Sequence, residues 1–227
     1  KLKFPMLIHV IKTALKLKPK KIFIIVGKFK NIINDTIFQY INEYHDQFNN
    51  IEYIDQLEPL GTAHAIKCSI DKLKKYTNEK VLILSGDVPL ISISTLEQLI
   101  NTQTNSILIT KLENPYGCGR IICNNQNKII SIREEKDCSL LEKQIQMVNC
   151  GIYQINSNDL INLIPLINNN NNSQEYYLTD IIDLMILNNI EIETIELNNH
   201  SQWEIKNVNT KNDLDELNNF ISKKFQV

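Results

Sequence analysis

Val81-Leu82-Ile83-Leu84-Ser85-Gly86-Asp87-Val88-Pro89-Leu90 decides how the chain is read. Val81 to Leu84 is a short apolar run of strand length, and Ser85, Gly86 and Asp87 then supply turn chemistry. Pro89 cannot continue a hydrogen-bonded ladder. In open α/β sheets, ligands gather beyond the carboxyl ends of the strands. Asp87 therefore stands where a carboxylate can hold Mg²⁺, an ion that takes few protein ligands and keeps water and substrate phosphates. From spacing alone, the same aspartate reads equally as a cap of the following turn.

The segments on either side share a rhythm. Ile22–Val26 reads as a buried strand, followed by Gly27 and a helix through about Tyr44. Ile51–Ile54 is a second strand, then Gly61 and a helix through Lys75. Val81–Leu84 is the third, with a helix from about Ser94. Strands that alternate with helices in this way imply parallel pairing through crossovers. The rhythm then changes to four strands with short connections, Ser106–Thr110, Gly119–Cys123, Lys128–Ile132 and Gln146–Gln154. Helices return at Ser157–Ile164 and Tyr176–Leu187, with a strand at Glu191–Leu197 and a last helix from Thr210 to about Ser222. The expectation is one α/β domain over residues 1–227: a Rossmann-like open sheet, mixed but mostly parallel, with helices on both faces and a late β-rich insertion.

Composition narrows the classes. The 227 residues suffice for one large domain, and 43% hydrophobic content suffices for its core. A net charge of -2 supplies no basic field for nucleic acid. No run of eighteen apolar residues exists to span a membrane. Near the start, Met6, Val10, Ile11 and Leu15 recur at helical spacing behind Pro5, giving a surface helix with one buried face. Cys68, Cys118, Cys123, Cys138 and Cys150 form neither a metal pattern nor a disulfide framework, so free thiols in a reducing cytoplasm are expected. His9, His45, His64 and His200 lack metal-ligand spacing, and His64 reads as packing or orientation.

Other segments bear on chemistry. In Gln56-Leu57-Glu58-Pro59-Leu60-Gly61-Thr62, the glycine lets backbone approach a ligand, and the helix that follows offers free N–H groups. An ordinary helix cap has the same appearance. Asn114-Pro115-Tyr116-Gly117-Cys118-Gly119-Arg120 carries two glycines before a strand, as a close approach to a ligand or a plain hairpin turn requires. Arg133-Glu134-Glu135-Lys136-Asp137 is a charge run, and by its composition a solvated face. Val148-Asn149-Cys150-Gly151 sets one amide inside an apolar strand, where it needs hydrogen-bond partners. Val208-Asn209-Thr210 joins a strand to the last helix, and either Asn209 or Thr210 can serve as its N-cap.

In order, Leu60-Gly61-Thr62, Gly86-Asp87-Val88-Pro89, Asn114-Pro115 with Gly117 to Arg120, Glu134, Asn149, Glu175-Tyr176-Tyr177-Leu178-Thr179-Asp180 and Val208-Asn209 resemble the uridylyltransferase half of bacterial-type N-acetylglucosamine 1-phosphate uridylyltransferases. The resemblance runs from about Lys3 to about Leu217. It implies the nucleotide-diphospho-sugar transferase type of fold. It also implies roles: Gln56, Gly61 and Thr62 at the uracil, Ser85 and Gly86 along the nucleotide, and Asp87 and Asn209 on Mg²⁺. Gly119, Glu134 and Asn149 are implied at the amino sugar. The substrates implied are UTP and N-acetylglucosamine 1-phosphate, with no nucleic-acid or membrane partner.

The family's glycine-rich loop, its Pro-Lys pair and its first, central strand lie upstream of the matching Lys3-Phe4-Pro5-Met6. The expectation is therefore a sheet without that strand and a site without that phosphate cradle. The family's left-handed β-helix acetyltransferase half has no counterpart after Leu217. Two alternatives stand beside the main reading: another sugar-phosphate nucleotidyltransferase of the same fold, and a non-catalytic homologue that binds a nucleotide sugar.

Overall fold

The computed structural model describes residue 2, residues 4–41 and residues 50–224, with only the backbone of Ile41. His45 and the expected end of the second helix near Tyr44 lie outside the described residues. Helix α1 (Met6–Lys16) starts on Pro5, and Ile8, Val10 and Ile11 form its buried face. Strands β1 (Ile22–Val26) and β2 (Ile51–Asp55) pair in parallel, Ile22 opposite Ile51 and Val26 opposite Asp55. Helix α2 (Lys30–Ile41) connects them and buries Ile37 completely. Ile8, Ile11, Ile24, Val26 and Ile37 make one small core.

Helix α3 (Thr62–Leu73) leads to β3 (Lys80–Ile83), and α4 (Ile93–Ile100) leads to β4 (Asn105–Lys111). Ser92 caps α4 by accepting the Thr95 backbone N–H at 3.2 Å. Next come β5 (Arg120–Cys123), β6 (Ile129–Arg133) and the long β7 (Met147–Asn156). Helices α5 (Ser157–Leu163) and α6 (Ile181–Leu187), strand β8 (Ile192–Glu196) and helix α7 (Lys211–Lys224) complete the order.

The larger sheet runs β6-β5-β7-β4-β8, with β3 also paired to β7. Its registers make β3, β4, β5 and β8 run one way and β6 and β7 the other. Helices cover both faces. Ile107 and Ile109 of β4 point toward α3, α5 and α6, while Leu108 between them points toward Leu96 and Leu99 of α4. That alternation explains why Ile107, Leu108 and Ile109 are all apolar on a strand with almost no exposed residue.

Two features of these two sheets position the site. First, among the described residues β1 pairs with β2 alone and β3 with β7 alone, and residues 22–25 and 81–84 line one cavity of about 1580 Å³. Second, β7 carries a bulge. It takes four steps from Asn149 to Tyr153 where β4 takes two, from Ile109 to Ile107, and Gly151 adopts φ +71° within it. No described helix is long and apolar enough to cross a membrane.

Candidate functional site

The exit of β3 builds the first part. Ladder pairing ends at Ile83, and Val88 anchors the following turn in the core. Ser85 donates its hydroxyl to Asp87 Oδ1 at 2.5 Å. The backbone carbonyl of Asp87 accepts the Val208 N–H at 3.0 Å, which brings the segment before α7 against the strand exit. The cap of α7 is reciprocal: Thr210 Oγ1 accepts the Asp213 N–H at 3.2 Å and Asp213 Oδ2 accepts the Thr210 N–H at 2.8 Å. This decides between the two caps that the sequence allows. Thr210 starts the helix, and the cap leaves the exposed Asn209 side chain to another use.

The turn before α3 builds the second part. Gly61 has φ +118°, and a Cβ there would meet the Tyr176 carbonyl oxygen at 2.5 Å and its nitrogen at 2.7 Å. Only glycine fits. The Tyr176 N–H donates to the Leu60 carbonyl at 2.8 Å, and the Ala63 N–H donates to the Tyr176 carbonyl at 2.8 Å. Thr62 Oγ1 accepts the Leu178 N–H at 2.9 Å. Gln56 Nε2 donates to the Gly61 carbonyl at 3.1 Å and lies 3.1 Å from His64 Nδ1.

These bonds also correct the expected helix over Tyr176–Leu187. Tyr176 and Tyr177 remain extended, a 3-10 turn covers Leu178–Asp180, and α6 begins at Ile181. The backbone of this segment is spent on the Gly61 turn instead of on its own first helical turn.

The third part lies where β5, β6 and β7 meet. The Asn149 N–H donates to the Gly119 carbonyl at 2.9 Å, extending the β5–β7 ladder by one residue. A Cβ on Gly119 would press Ile132 at 3.1 Å and approach both Glu134 carboxylate oxygens at 3.5 Å. Thr179 donates its hydroxyl to Glu134 Oε1 at 2.9 Å. Burial holds the Glu134 carboxyl above the usual range, against the Thr179 bond, with Asp137 and Glu175 adding repulsion.

The charge run around Glu134 is not the solvated face its composition suggested. Glu135 pairs at 2.7 Å with Arg120, whose side chain is only 2% exposed, and Glu134 points inward. Arg120 also donates to the Cys118 carbonyl, and Glu135 accepts the Gly117 N–H at 3.2 Å. The buried pair thus shapes the glycine turn from both ends, a role unassigned from sequence.

Thr62, Ser85, Gly86, Asp87, Gly119, Glu134 and Asn149 all line the large cavity. Gln56, Gly61 and Asn209 do not. Gln56 and Gly61 stand behind Thr62, and Asn209 follows the Val208 bond to Asp87. Thr179 and Tyr153 also line the cavity and escaped the sequence reading. Thr179 lay within a quoted motif, whereas nothing in the apolar run of β7 marked Tyr153.

Among the described residues no three His, Cys, Asp or Glu side chains gather as a metal group. An ion here would rest on few protein ligands. A hard oxygen pair such as the Asp87 carboxylate and the Asn209 amide suits a cation that keeps most of its water.

Comparison with known proteins agrees with this geometry. A family profile described as nucleotidyl transferase matches residues 1–223. An Acanthamoeba polyphaga mimivirus protein named "Probable UDP-N-acetylglucosamine pyrophosphorylase" is 42% identical over 92% of this chain and 82% of its own length. "Bifunctional protein GlmU" of Psychrobacter sp. is 36% identical over 94% of this chain, which spans only 44% of that protein. A crystal structure from Bacillus anthracis, described as a glucose-1-phosphate thymidylyltransferase with sucrose, superposes with TM-score 0.68 over 96% of this chain and 82% of the other. Its 18% identity speaks to the fold alone.

Proposed function

Since this chain belongs to the nucleotidyl transferase family, we propose that it joins UTP to N-acetylglucosamine 1-phosphate, releasing pyrophosphate and forming UDP-N-acetylglucosamine. The observation that carries the reading is that Asp87, Thr62, Glu134 and Asn149 all line one cavity. The name of the viral relative supports the choice of sugar and nucleotide.

In this reading the uracil lies at the Gln56–Thr62 turn and the amino sugar at Gly119, Glu134 and Asn149. An oxygen of the sugar 1-phosphate attacks the α-phosphorus of UTP. The bond from that phosphorus to the bridging oxygen breaks, and pyrophosphate leaves with the electron pair. The attacking oxygen is already anionic, so no side chain need remove a proton. Catalysis then rests on holding the two phosphates in line. Ser85 fixes the Asp87 carboxylate, and the Val208 bond fixes the segment that carries Asn209. These two residues would hold Mg²⁺, which when bound offsets the negative charge between the phosphates. The five cysteines are free thiols, which fits a reducing compartment, and we place the protein in the cytoplasm.

Pyrophosphate release with Mg²⁺ tests the proposal across UTP, dTTP, ATP and GTP, each paired with N-acetylglucosamine 1-phosphate and glucose 1-phosphate. UTP with N-acetylglucosamine 1-phosphate is expected to give the highest kcat/KM. Preference for another pair would reassign the substrates. Folded protein that binds UDP-N-acetylglucosamine but releases no pyrophosphate from any pair would make it a binding protein.

A further inference from the structure

Asn149 and Tyr153 are four residues apart on one strand. An unbroken strand would separate their Cα atoms by about 13 Å. Yet Asn149 Nδ2 donates to Tyr153 Oη at 2.6 Å. The bulge between them makes this contact reachable, because β7 spends four residues on a span that β4 covers in two. The contact uses up specific parts of the amide. Asn149 Oδ1 accepts the Gly151 N–H at 3.0 Å, a bond made within the bulge, where Gly151 holds φ +71°. One Nδ2 hydrogen goes to Tyr153. An amide has two such hydrogens, and the second remains for a ligand in the cavity that Asn149 lines.

Tyr153 is itself fixed. Its side chain is 2% exposed and packs in the core with Ile107, Ile109 and Ile155. A buried phenol needs a polar partner, and Asn149 supplies it. Burial, with Glu134 nearby, holds the phenol above its usual range and therefore neutral.

We propose that Tyr153 is a positioning residue that locks the Asn149 amide so that it offers a hydrogen-bond donor to an oxygen of the bound amino sugar. The inference rests on the sugar subsite proposed above. Glu134, an acceptor when ionised, lines the same cavity as that fixed donor. A sugar substituent that carries both a carbonyl oxygen and an N–H, as an acetamide does, is matched by that pair.

The test compares Tyr153→Phe, Asn149→Ala and the double variant of the full chain by calorimetry, with UDP-N-acetylglucosamine and with UTP as ligands. Phenylalanine keeps the ring in the core and removes only the hydroxyl. Tyr153→Phe is expected to weaken UDP-N-acetylglucosamine binding roughly fivefold, the scale of one hydrogen bond. UTP binding is expected to stay unchanged, and the double variant should bind no worse than Asn149→Ala alone. Unchanged sugar-nucleotide affinity in Tyr153→Phe, alongside a loss in Asn149→Ala, would overturn the positioning role while leaving the subsite standing. Equal losses for both ligands with a lowered Tm would reduce Tyr153 to packing and also overturn it. If Asn149→Ala itself leaves UDP-N-acetylglucosamine binding intact, the subsite fails and the inference fails with it.

Discussion

Val208 donates its backbone N–H to the backbone carbonyl of Asp87 at 3.0 Å, joining the exit of β3 to the segment before α7. Main-chain bonding of this kind does not depend on either side chain, so it holds the two neighbourhoods together whatever the acid and the amide do. That bond brings the backbone of Asp87 and the segment that carries Asn209 to one end of the sheet.

Replacing Asp87 with Asn separates these effects. The variant keeps the size of the side chain and the Val208 bond, so its Tm should stay close to wild type. Turnover of UTP and N-acetylglucosamine 1-phosphate should fall by at least roughly 10-fold, the lower end of the loss seen for residues one step behind a metal ligand. Steady-state kinetics at saturating Mg²⁺ measure it. Unchanged turnover removes Asp87 from the reaction.

Gly61→Ala should be among the most damaging single-methyl changes. The new Cβ would sit at 2.5 Å from the Tyr176 carbonyl oxygen in a backbone of φ +118°, and no flexible side-chain end is there to yield. The strained backbone alone costs about 1–3 kcal/mol. Thermal melting should show the loss, with weakened UTP binding because the Gln56–Thr62 turn and the Tyr176–Leu178 segment come apart together.

Arg120→Met tests the buried pair. Methionine fills much of the space but removes the Glu135 pair and the bond to the Cys118 carbonyl. Tm should fall by about 5 °C, as expected when the hydrogen bonds and packing of a buried side chain are lost. The Gly117–Gly119 turn loses its anchor on the Cys118 carbonyl, so affinity for UDP-N-acetylglucosamine should drop more than affinity for UTP. Melting curves and calorimetry on the same preparation check both parts.

Asp180 gives a pH signature. Burial raises its carboxyl from 3.8 to about 6, with Asp183 and Glu134 adding repulsion and Arg133 partly offsetting it. The folded state therefore binds more protons than the unfolded state between those two values. Stability falls as pH rises through that window and is constant in this contribution above it. Asp180→Asn, neutral at every pH, should raise Tm above about pH 6, with the gain shrinking as pH drops toward 3.8. A gain independent of pH would contradict the assignment.

Much of this was legible in the residues. Every strand announced from apolar runs is present within a residue or two, because strands buried on both faces, such as β4 with Ile107, Leu108 and Ile109, carry apolar side chains on consecutive residues. The Gly61 turn and the Asp87 strand exit were visible because each depends on a local residue type. What was hidden depends on partners distant in sequence. By composition Glu134 and Glu135 read as a solvated face, and only the family resemblance singled out Glu134; Thr179 and Arg120 lie against them. Tyr176 read as helical until the Gly61 turn claimed its backbone. The bulge that brings Tyr153 to Asn149 follows from pairing with β4, and only Gly151 hinted at it.

Crystals soaked with Mn²⁺ and UDP-N-acetylglucosamine test the central claim most directly, since the manganese anomalous signal locates the ion independently of the ligand. The account predicts a peak touching both the Asp87 carboxylate and the Asn209 amide, uracil against the Gln56–Thr62 turn, and the amino sugar between Glu134 and Asn149. An ion held elsewhere, or a nucleotide sugar bound outside the cavity these residues share, would contradict it.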